Sequence, residues 1–421
     1  MPDSAAFVKD TEPFRRELFA HCYRMLGSVP DAEDLVQETY LRAWRSYDGF
    51  EGRSSMRTWL YRIATNACLT ALTKHERRVL PSGLSEPEPD YTKAPVAADP
   101  EVSWLQPIPD ARVNPDPEAV VTARGDLRLA LIASLQYLSA RQRAVLVLRD
   151  VLAFPAAEVA SMLGMTTVSV KSALQRARAS LKDLAPAADE IAEPTAPQAR
   201  ALLDRYIAAF ENADAPALER LLVQDVTLEA TPFAGWFRGL ATCVPFLREH
   251  VLGVPGYWRM LATSANGQPA AVCLTRGTDG TYQPYGVVVL TVTRDGVSGV
   301  VSFGDPALVP LFGLASALCS VQVRGPESER DPAGVAHDRE PPVGTTERRP
   351  SALDPRPERR GSPQRVLQVT DLQVQPGARV RHRAGRGALQ SANTLLTIPD
   401  DPVVGAQIGF REGRLERPFP E

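Results

Sequence analysis

DAEDLVQETYLRAW (residues 31–44) and WLYRIATN (residues 59–66) are the stretches that decide the fold of the N-terminal part of this chain. Both have the residue spacing of amphipathic helices. Ser28 is placed to cap the first helix, and Pro30 suits its opening turn. Apolar side chains recur at helical spacing, so each helix is expected to bury one face. On the first helix the buried face is expected to contain Val36, Tyr40, Ala43, Trp44 and Tyr47.

The outer faces of these helices carry different chemistry. Asp31, Asp34 and Glu38 share one face of the first helix, where they are expected to stay in water and to suit a basic partner. An exposed Trp beside a cation and an amide suits unstacked bases, which stack on aromatic faces and are read at their edges. The second helix aligns such a set on one side: Trp59, Arg62 and Asn66.

Both stretches resemble the second conserved region of RNA polymerase sigma factors of the extracytoplasmic-function group, which is group IV of the sigma-70 family. The family's D-x-x-D-L-x-Q-E motif is matched by Asp31, Asp34, Leu35, Gln37 and Glu38. The resemblance implies that these residues bind core polymerase. The W-L-x-x-I-A-x-N helix follows a Phe and a Gly-containing loop, and it implies binding to the −10 promoter element. The implied −10 set is Phe50, Gly52, Arg53, Ser54, Trp59, Arg62, Asn66, Lys74, Arg77 and Arg78. This module is predicted over residues 12–78, with its last helix continuing through Arg78.

Residues 123–185 are predicted to form a second helical module. S-A-R-Q at 139–142 is a capping box that begins one helix. Pro155 opens the next, Gly164 makes a turn, and Thr166 or Thr167 can cap a helix that follows. This spacing is typical of a helix-turn-helix, whose second helix enters the major groove of DNA. Helical hairpins with a Gly turn also occur in proteins that do not bind DNA.

Following the first motif, this module resembles the fourth region of sigma factors, which reads the −35 promoter element. The family often has Arg where this chain has Ala173, so the base contacts are expected to shift along the helix. No acid lies between Val159 and Lys182, and the cations there suit phosphates. The predicted −35 set is Ser169, Lys171, Ser172, Gln175, Arg176 and Arg178.

Residues 79–122 are acidic and rich in Pro, a composition that cannot build a core of its own. We therefore expect an extended linker between the helical modules. Sigma factors with an extra C-terminal domain often have a W-L-x-P motif here, matched by Trp104, Leu105 and Pro107, which implies a docking segment. The alternative is a Trp that is merely exposed.

Residues 198–316 are predicted to form an α+β cone, with two helices followed by a curved antiparallel sheet. The domain resembles the SnoaL-like fold of polyketide cyclases and steroid isomerases. An apolar mouth is expected from Phe210, Phe233, Trp236, Phe246, Trp258, Tyr285 and Phe303. General acid or base chemistry is open to Asp225, Glu229, His250 or Asp305. The alternative is that these four are solvated groups on a binding or regulatory domain.

The composition of the whole chain excludes several classes of protein. The 421 residues allow several domains, and with a formal charge of −3 the chain has no global field that attracts DNA, so its cations must act by local placement. The five Cys residues are scattered, so neither a metal site nor a cofactor is expected. The polar N-terminus and the lack of a long apolar run favour a cytoplasmic protein with no membrane contact. Residues 317–421, rich in Arg and Pro, are predicted to be a disordered tail.

The sequence therefore predicts a multidomain chain with two all-α helical modules, an α+β SnoaL-like cone and a tail. The expected function is that of a non-enzymatic sigma factor whose partners are core RNA polymerase and promoter DNA. Its own cone is expected to regulate it, by docking on the helical modules or by sensing a small ligand. Two alternatives stay open: a stand-alone helix-turn-helix regulator, and a cone with isomerase or cyclase activity.

Overall fold

The first helical module is built from four helices, and its boundaries follow from local caps. The computed structural model describes residues 4–74, 77–93, 95–113, 127–184 and 196–313. Ser28 accepts a hydrogen bond from the backbone N–H of Asp31, and Ser55 accepts one from Thr58, so both predicted helices begin at capped residues. The helices are α1 (Ser4–Thr11), α2 (Arg15–Leu26), α3 (Val29–Ser46) and α4 (Met56–Ala71).

Helix α1 was not expected from the sequence, and it completes the buried face of α3. The ring of Phe7 makes edge contacts with Tyr40, Trp44 and Tyr47, with centroids 6.2, 5.1 and 5.2 Å away. Such aromatic pairs add to the stabilisation that burial gives. The expectation that α4 continues through Arg78 is wrong, because the helix ends at Ala71.

The linker prediction needs a correction. Its described part is extended, but Leu105 and Ile108 are fully buried in the same apolar cluster as α2 and α3. Gly27, at φ +69°, ends α2 in a left-handed conformation, and a Cβ there would lie 2.6 Å from Cδ1 of Leu105. The linker builds no core of its own, as expected, but it contributes side chains to a core that its neighbours supply. The described part of the linker contains a 3₁₀ turn (Pro81–Gly83) and a short α-helix, α5 (Asp110–Val113).

The second helical module has the predicted helix-turn-helix. The capping box of Ser139 and Gln142 is confirmed, with both reciprocal hydrogen bonds present. Gly164 ends a helix at φ +60°, and Thr166 accepts a hydrogen bond from the N–H of Ser169 at 3.1 Å. The helices are α6 (Leu129–Leu135), α7 (Ala140–Leu146), which continues as a π-turn, α8 (Ala156–Leu163) and α9 (Thr167–Leu184).

The α+β domain begins with helices and continues into a sheet, as predicted, and the sheet has six strands. Helices α10 (Ala196–Glu211) and α11 (Ala215–Glu219) precede β1, and α12 (Leu240–Phe246) lies between β2 and β3. The sheet order is β2-β1-β6-β5-β4-β3. One expectation is wrong: β1 and β6 pair in parallel, so the sheet is mixed. The strands are β1 (Leu222–Thr231), β2 (Trp236–Arg238), β3 (Trp258–Ala265), β4 (Gln268–Arg276), β5 (Tyr282–Val292) and β6 (Val297–Phe303).

Both faces of this sheet are buried. Val288 and Leu290 of β5 pack against the domain's own helices, whereas Val287 and Val289 belong to the apolar cluster that also contains the helical modules. The sequence of a strand that is buried on both faces is a nearly continuous apolar run, which explains the segment YGVVVLTVT at residues 285–293. Phe303 lies on the second face, next to Val287, so its predicted place at the mouth of the cone is wrong.

The described residues contain neither a membrane-crossing helix nor a cluster of metal ligands. None of the helices there is long and apolar enough to cross a membrane. Within the same residues, no three His, Cys, Asp or Glu side chains come together as a metal site would require. The predicted tail, residues 317–421, lies outside the described part of the chain.

The buried His21 predicts a pH dependence of stability. Its Nε2 lies 2.9 Å from Oγ1 of Thr65, and burial, together with Arg24 and Arg57, lowers the pKa of His21 to about 3. In the unfolded chain the pKa is about 6.5, so the unfolded state binds a proton that the native state excludes. The stabilisation is complete above pH 6.5 and is lost as the pH falls towards 3. Between pH 7 and pH 5.5 the free energy of unfolding should drop by about 1 kcal/mol through this group.

Urea unfolding at the two pH values measures this drop. His21→Gln can keep the hydrogen bond to Thr65 and does not titrate, so its unfolding free energy should change less over the same interval. Equal changes in the variant and the wild-type protein would assign the pH dependence to other groups.

Candidate nucleic-acid and protein interfaces

The acidic face of α3 comprises Asp31, Asp34, Gln37 and Glu38, with Glu33 at its edge next to Gln37. Asp34 and Gln37 are exposed, and Glu38 pairs with Arg42 on the same helix at 2.6 Å. Asp31 and Asp34 are one helical turn apart, so their carboxylates lie on one face near the positive end of the helix dipole. Leu35 differs from the rest of its motif, because it is half-buried against the core.

The sequence predicted that this face would lie in water, but two of its carboxylates are paired with arginines. Arg78 donates from Nη2 to Oδ2 of Asp31 at 2.7 Å, and Arg112 pairs with Glu33 at 2.6 Å. Arg78 immediately precedes the linker and Arg112 lies within it, and sequence spacing could not relate either residue to α3; both are called the linker arginines below. The linker arginines therefore partly neutralise the N-terminal half of the acidic face.

The candidate base-capturing residues lie together around the start of α4. The rings of Phe50 and Trp59 are 4.9 Å apart and tilted by 38°, while Arg62 and Asn66 are exposed. The loop between the two aromatic residues is exposed at Gly52, Arg53 and Ser54. An aromatic platform, a cation, an amide and an open loop on one side of a helix can hold a base that has left the duplex.

The three predicted phosphate-binding cations beyond α4 are not on a helix. Lys74 is exposed in the turn after α4. The guanidinium of Arg77 lies 4.1 Å from the centroid of the Tyr137 ring, and Arg78 is held by Asp31. Of the three, Lys74 is the one for which no such contact is seen within the described residues.

The outer face of α9 is open. Ser169, Lys171, Gln175 and Arg176 are exposed and Ser172 is half-buried. Ala173 is 4% exposed, so the position where this chain departs from the sigma-factor pattern it resembles faces the core. Arg178 is exposed but pairs through two nitrogens with Asp150 at 2.8 and 2.6 Å, and this carboxylate raises the pKa of Arg178.

Helix α8 of the second module covers part of α4 of the first. Thr58 donates to Oε2 of Glu158 at 2.8 Å, and Nδ2 of Asn66 reaches the carbonyl of Met162 at 3.5 Å. The ring of Phe154 makes an edge contact with Tyr61, with the centroids 5.1 Å apart. The helix that carries the base-capturing set is therefore partly occupied by the other helical module.

A second contact between the modules is the buried guanidinium of Arg143. From α7 it donates to the carbonyl of Met25, at the end of α2, and to Oε1 of Gln136 at 2.7 Å. Burial lowers the pKa of Arg143 to about 10, which still leaves it charged at neutral pH. A cation at a helix C-terminus also meets the negative end of the helix dipole.

The β3–β4 turn joins the cone to both helical modules and to the linker. Asn266 is fully buried at φ +55°, and its Nδ2 donates to the Tyr23 hydroxyl and to the Leu127 carbonyl, both at 2.8 Å. Its Oδ1 accepts from the N–H of Ile108 at 3.0 Å. Next to it, the N–H of Gly267 donates to Oδ1 of Asp110 at 2.8 Å. One carboxamide thus hydrogen-bonds to groups from helix α2, from the linker and from the start of the second helical module.

Gln268, two residues along the chain, extends this junction by accepting from the N–H of Leu129 at 2.9 Å. In the sequence, Asn266-Gly267 is only a signal for a turn. A buried polar pair in a turn can be found from a sequence only if its distant partners are known.

The four candidate acid–base groups of the cone do not meet in its interior. Asp225 is exposed, and Oδ1 of Asp305 accepts from the N–H of Ala307 at 2.9 Å as a helix cap. Glu229 is buried but accepts from the linker N–H of Ser82 at 2.9 Å, and burial raises its pKa. His250 donates to the carbonyl of Tyr91, also in the linker, at 3.0 Å.

The predicted mouth of the cone divides between two environments. Phe210, Phe246 and Trp258 belong to the domain's own core, and Tyr285 packs against them. Trp236 and Phe233 instead contact the linker: the indole N–H of Trp236 donates to the Ser85 carbonyl at 2.8 Å, and Phe233 forms a bridge with Ala97. The linker therefore crosses this end of the domain.

Comparisons with known proteins identify both helical modules. Residues 11–78 match the family model of Sigma-70 region 2, and residues 128–181 match that of Sigma-70 region 4. Over 315 residues the chain is 50% identical to the ECF RNA polymerase sigma factor SigG of Mycobacterium tuberculosis, which covers 74% of this chain and 85% of that protein. It is 30% identical over 181 residues to SigW of Bacillus subtilis, covering 43% of this chain and 89% of that protein.

A solved structure, that of the Mycobacterium tuberculosis extracytoplasmic function sigma factor SigJ, is similar with a TM-score of 0.48 and 25% identity. The match covers 71% of this chain and 97% of that chain.

The buried carboxamide generates a prediction about how firmly the modules are held together. Asn266→Gly keeps a residue that tolerates positive φ but removes three side-chain hydrogen bonds, each worth about 0.5–1.5 kcal/mol net. The contact between the modules should weaken by about 2–4 kcal/mol. Energy transfer between fluorophores attached at the exposed positions Thr70 and Ser161 should fall. Asn212→Ala, which changes an exposed asparagine of the same domain, is the control, and equal transfer in all three proteins would contradict the prediction.

Proposed function

The chain belongs to the extracytoplasmic-function RNA polymerase sigma factors, and from this membership we propose how its parts divide the work. As a sigma factor it directs RNA polymerase to promoters, and the polymerase makes the bonds. Its helical modules bind core polymerase and promoter DNA. We propose that the α+β domain holds these modules in a closed resting form that must open at a promoter.

The observation that carries this proposal is the packing of α8 on α4. The −10 and −35 elements are about 25 base pairs apart, which is roughly 85 Å at 3.4 Å per base pair. Modules in side-chain contact, such as Thr58 with Glu158 at 2.8 Å, cannot span that length. Binding both elements at once therefore requires the two helical modules to separate.

In the proposed open form each interface takes one partner. The acidic face of α3 binds a basic surface of core polymerase. Trp59, Arg62 and Asn66 hold an unstacked base of the −10 element, with Lys74 on a nearby phosphate. The outer face of α9 reads the −35 element in the major groove, mainly through Lys171, Gln175 and Arg176, with smaller polar contacts from Ser169 and Ser172.

The proposed role of the α+β domain is regulatory rather than catalytic. General acid–base catalysis needs side chains that converge on one substrate within hydrogen-bond reach. The four candidates are spread instead over the surface, a helix cap and two linker contacts. Glu229 and His250 support the closed form directly, because each binds the backbone of the linker.

A stand-alone DNA-binding regulator would have no use for a polymerase-binding face. The two functions are separated by capture of core RNA polymerase with the full-length protein. Asp31→Arg combined with Asp34→Arg should abolish capture, while Arg200→Ala in the α+β domain should not change it. Undiminished capture by the doubly substituted protein would reject the proposed face.

The base-capturing role predicts a defect in promoter opening. Trp59→Ala removes a stacking platform worth about 1–3 kcal/mol per base, and Asn66→Ala removes an amide that can read a base edge. Both variants should bind core polymerase normally and should form at least about fivefold less open complex, measured by permanganate reactivity of unpaired thymines. The same yield of open complex as the wild-type protein would remove these residues from the −10 site.

The recognition helix predicts a difference between two neighbouring arginines. Arg176→Ala should weaken binding to a −35 duplex and lower the salt slope by about one if Arg176 contacts a phosphate. Arg178→Ala should have the smaller effect, because Asp150 already neutralises that guanidinium. Fluorescence anisotropy over a range of salt concentrations measures both changes. A larger effect at Arg178 would show that its ion pair breaks on DNA.

A further inference from the structure

Arg78 and Arg112 pair with carboxylates of α3 on the face that is proposed to bind polymerase, so they could compete with polymerase for that face. We propose that Arg78 and Arg112 occupy the acidic face in place of the polymerase's basic surface, so that docking of the linker and docking of polymerase exclude each other. The inference rests on the proposed function of this face, and it identifies polymerase itself as the partner that releases the linker.

Arg78 connects the acidic face to the W-L-x-P motif. Its Nη2 donates to Oδ2 of Asp31 at 2.7 Å, and its Nη1 donates to the carbonyl of Trp104 at 3.0 Å. The side chains of Arg78 and Asp31 are 19% and 34% exposed, so the pair is partly shielded from solvent. Leu105, next to Trp104, is the residue that fills the space above Gly27. A cation that displaced Arg78 from Asp31 would therefore loosen the buried part of the linker.

Arg112 connects the same face to the turn that joins the modules. Its Nη1 lies 2.6 Å from Oε1 of Glu33, and its guanidinium also lies 5.8 Å from the centroid of the Phe19 ring. Arg112 belongs to the short helix α5, whose first residue, Asp110, accepts from Gly267. The two arginines thus hold opposite ends of the linker's buried segment.

The chemistry of the face selects the kind of partner. Carboxylates repel the phosphates of DNA, and they bind guanidinium and ammonium groups through charge-assisted hydrogen bonds. Asp34 and Gln37 remain exposed beside the two occupied carboxylates. A basic protein surface can therefore bind the exposed Asp34 and Gln37 first and then displace the arginines one at a time. The face is half-occupied, which permits both recognition and competition.

Competition for one face couples the two events in both directions. If polymerase binding weakens linker docking by some factor, linker docking weakens polymerase binding by the same factor. Removing the two arginines should therefore strengthen binding of core polymerase, although these residues never touch it. The opposite is expected if the arginines only stabilise the fold, because a less stable fold binds more weakly.

The test is the affinity of the full-length protein for core RNA polymerase without DNA. Arg78→Ala with Arg112→Ala should raise the affinity by roughly twofold to fivefold for each ion pair, as expected for pairs of this exposure. Arg200→Ala, which breaks the exposed Arg200–Asp204 pair of the α+β domain, is the matched control and should leave the affinity unchanged. Energy transfer between positions 70 and 161 should also fall in the double variant.

A second double variant, Arg78→Gln with Arg112→Gln, keeps long polar side chains, loses the charge, and should show the same gain if Ala disturbs folding. Unchanged or weaker binding by both double variants would overturn the proposal. If Asp31→Arg with Asp34→Arg still prevents binding in that case, the polymerase-binding face stands and only the competition fails. If those two substitutions leave binding intact, the face itself is wrong.

Discussion

The closed arrangement depends on one buried carboxamide that hydrogen-bonds to two backbone groups and a hydroxyl from distant parts of the chain. Asn266 is fully buried, and its side chain serves the Tyr23 hydroxyl, the Ile108 N–H and the Leu127 carbonyl. A buried polar group without a partner costs about 1–3 kcal/mol. Each of these groups therefore favours the closed arrangement, in which the β3–β4 turn supplies a partner. Because the partners come from three segments, the modules, the linker and the α+β domain are positioned together.

A contact that must open cannot be held by apolar burial alone. The sheet presents Val287, Val289 and Phe303 to the shared apolar cluster, and exposing such a face to water would cost roughly 25 cal/mol per Å². Polar junctions at Asn266, Arg143 and Arg78 work differently, since water or a partner can replace each hydrogen bond when the modules separate. The fold thus combines a stable apolar contact with polar contacts that a ligand can exchange. Regulation acts most readily at the polar contacts, because their hydrogen bonds can be exchanged.

Local signals in the sequence predicted local structure, and partners distant in sequence account for what was missed. Helical spacing, the Ser139 capping box and Gly164 located the helices, because each acts within a few residues. The burial of Leu105 was missed because composition measures only what a segment can bury by itself. Asn266 was assigned to a turn because Asn before Gly favours positive φ, and nothing local shows that its amide is buried. The candidate site was predicted as a set of residues, but its occupation by Arg78 and Arg112 depends on tertiary structure.

The two DNA-binding surfaces are not equally available in the closed form, and this difference has a physical consequence. The outer face of α9 is exposed, so duplex contacts there need no rearrangement. The set on α4 is partly covered through Thr58 and Asn66, and its base would also have to leave the stack at a cost of a few kcal/mol. A protein in this state can sample duplex DNA through charge without melting it. In the proposed mechanism, strand separation becomes possible only when polymerase binding supplies the free energy that opens the modules, which would restrict melting to DNA already held by the polymerase.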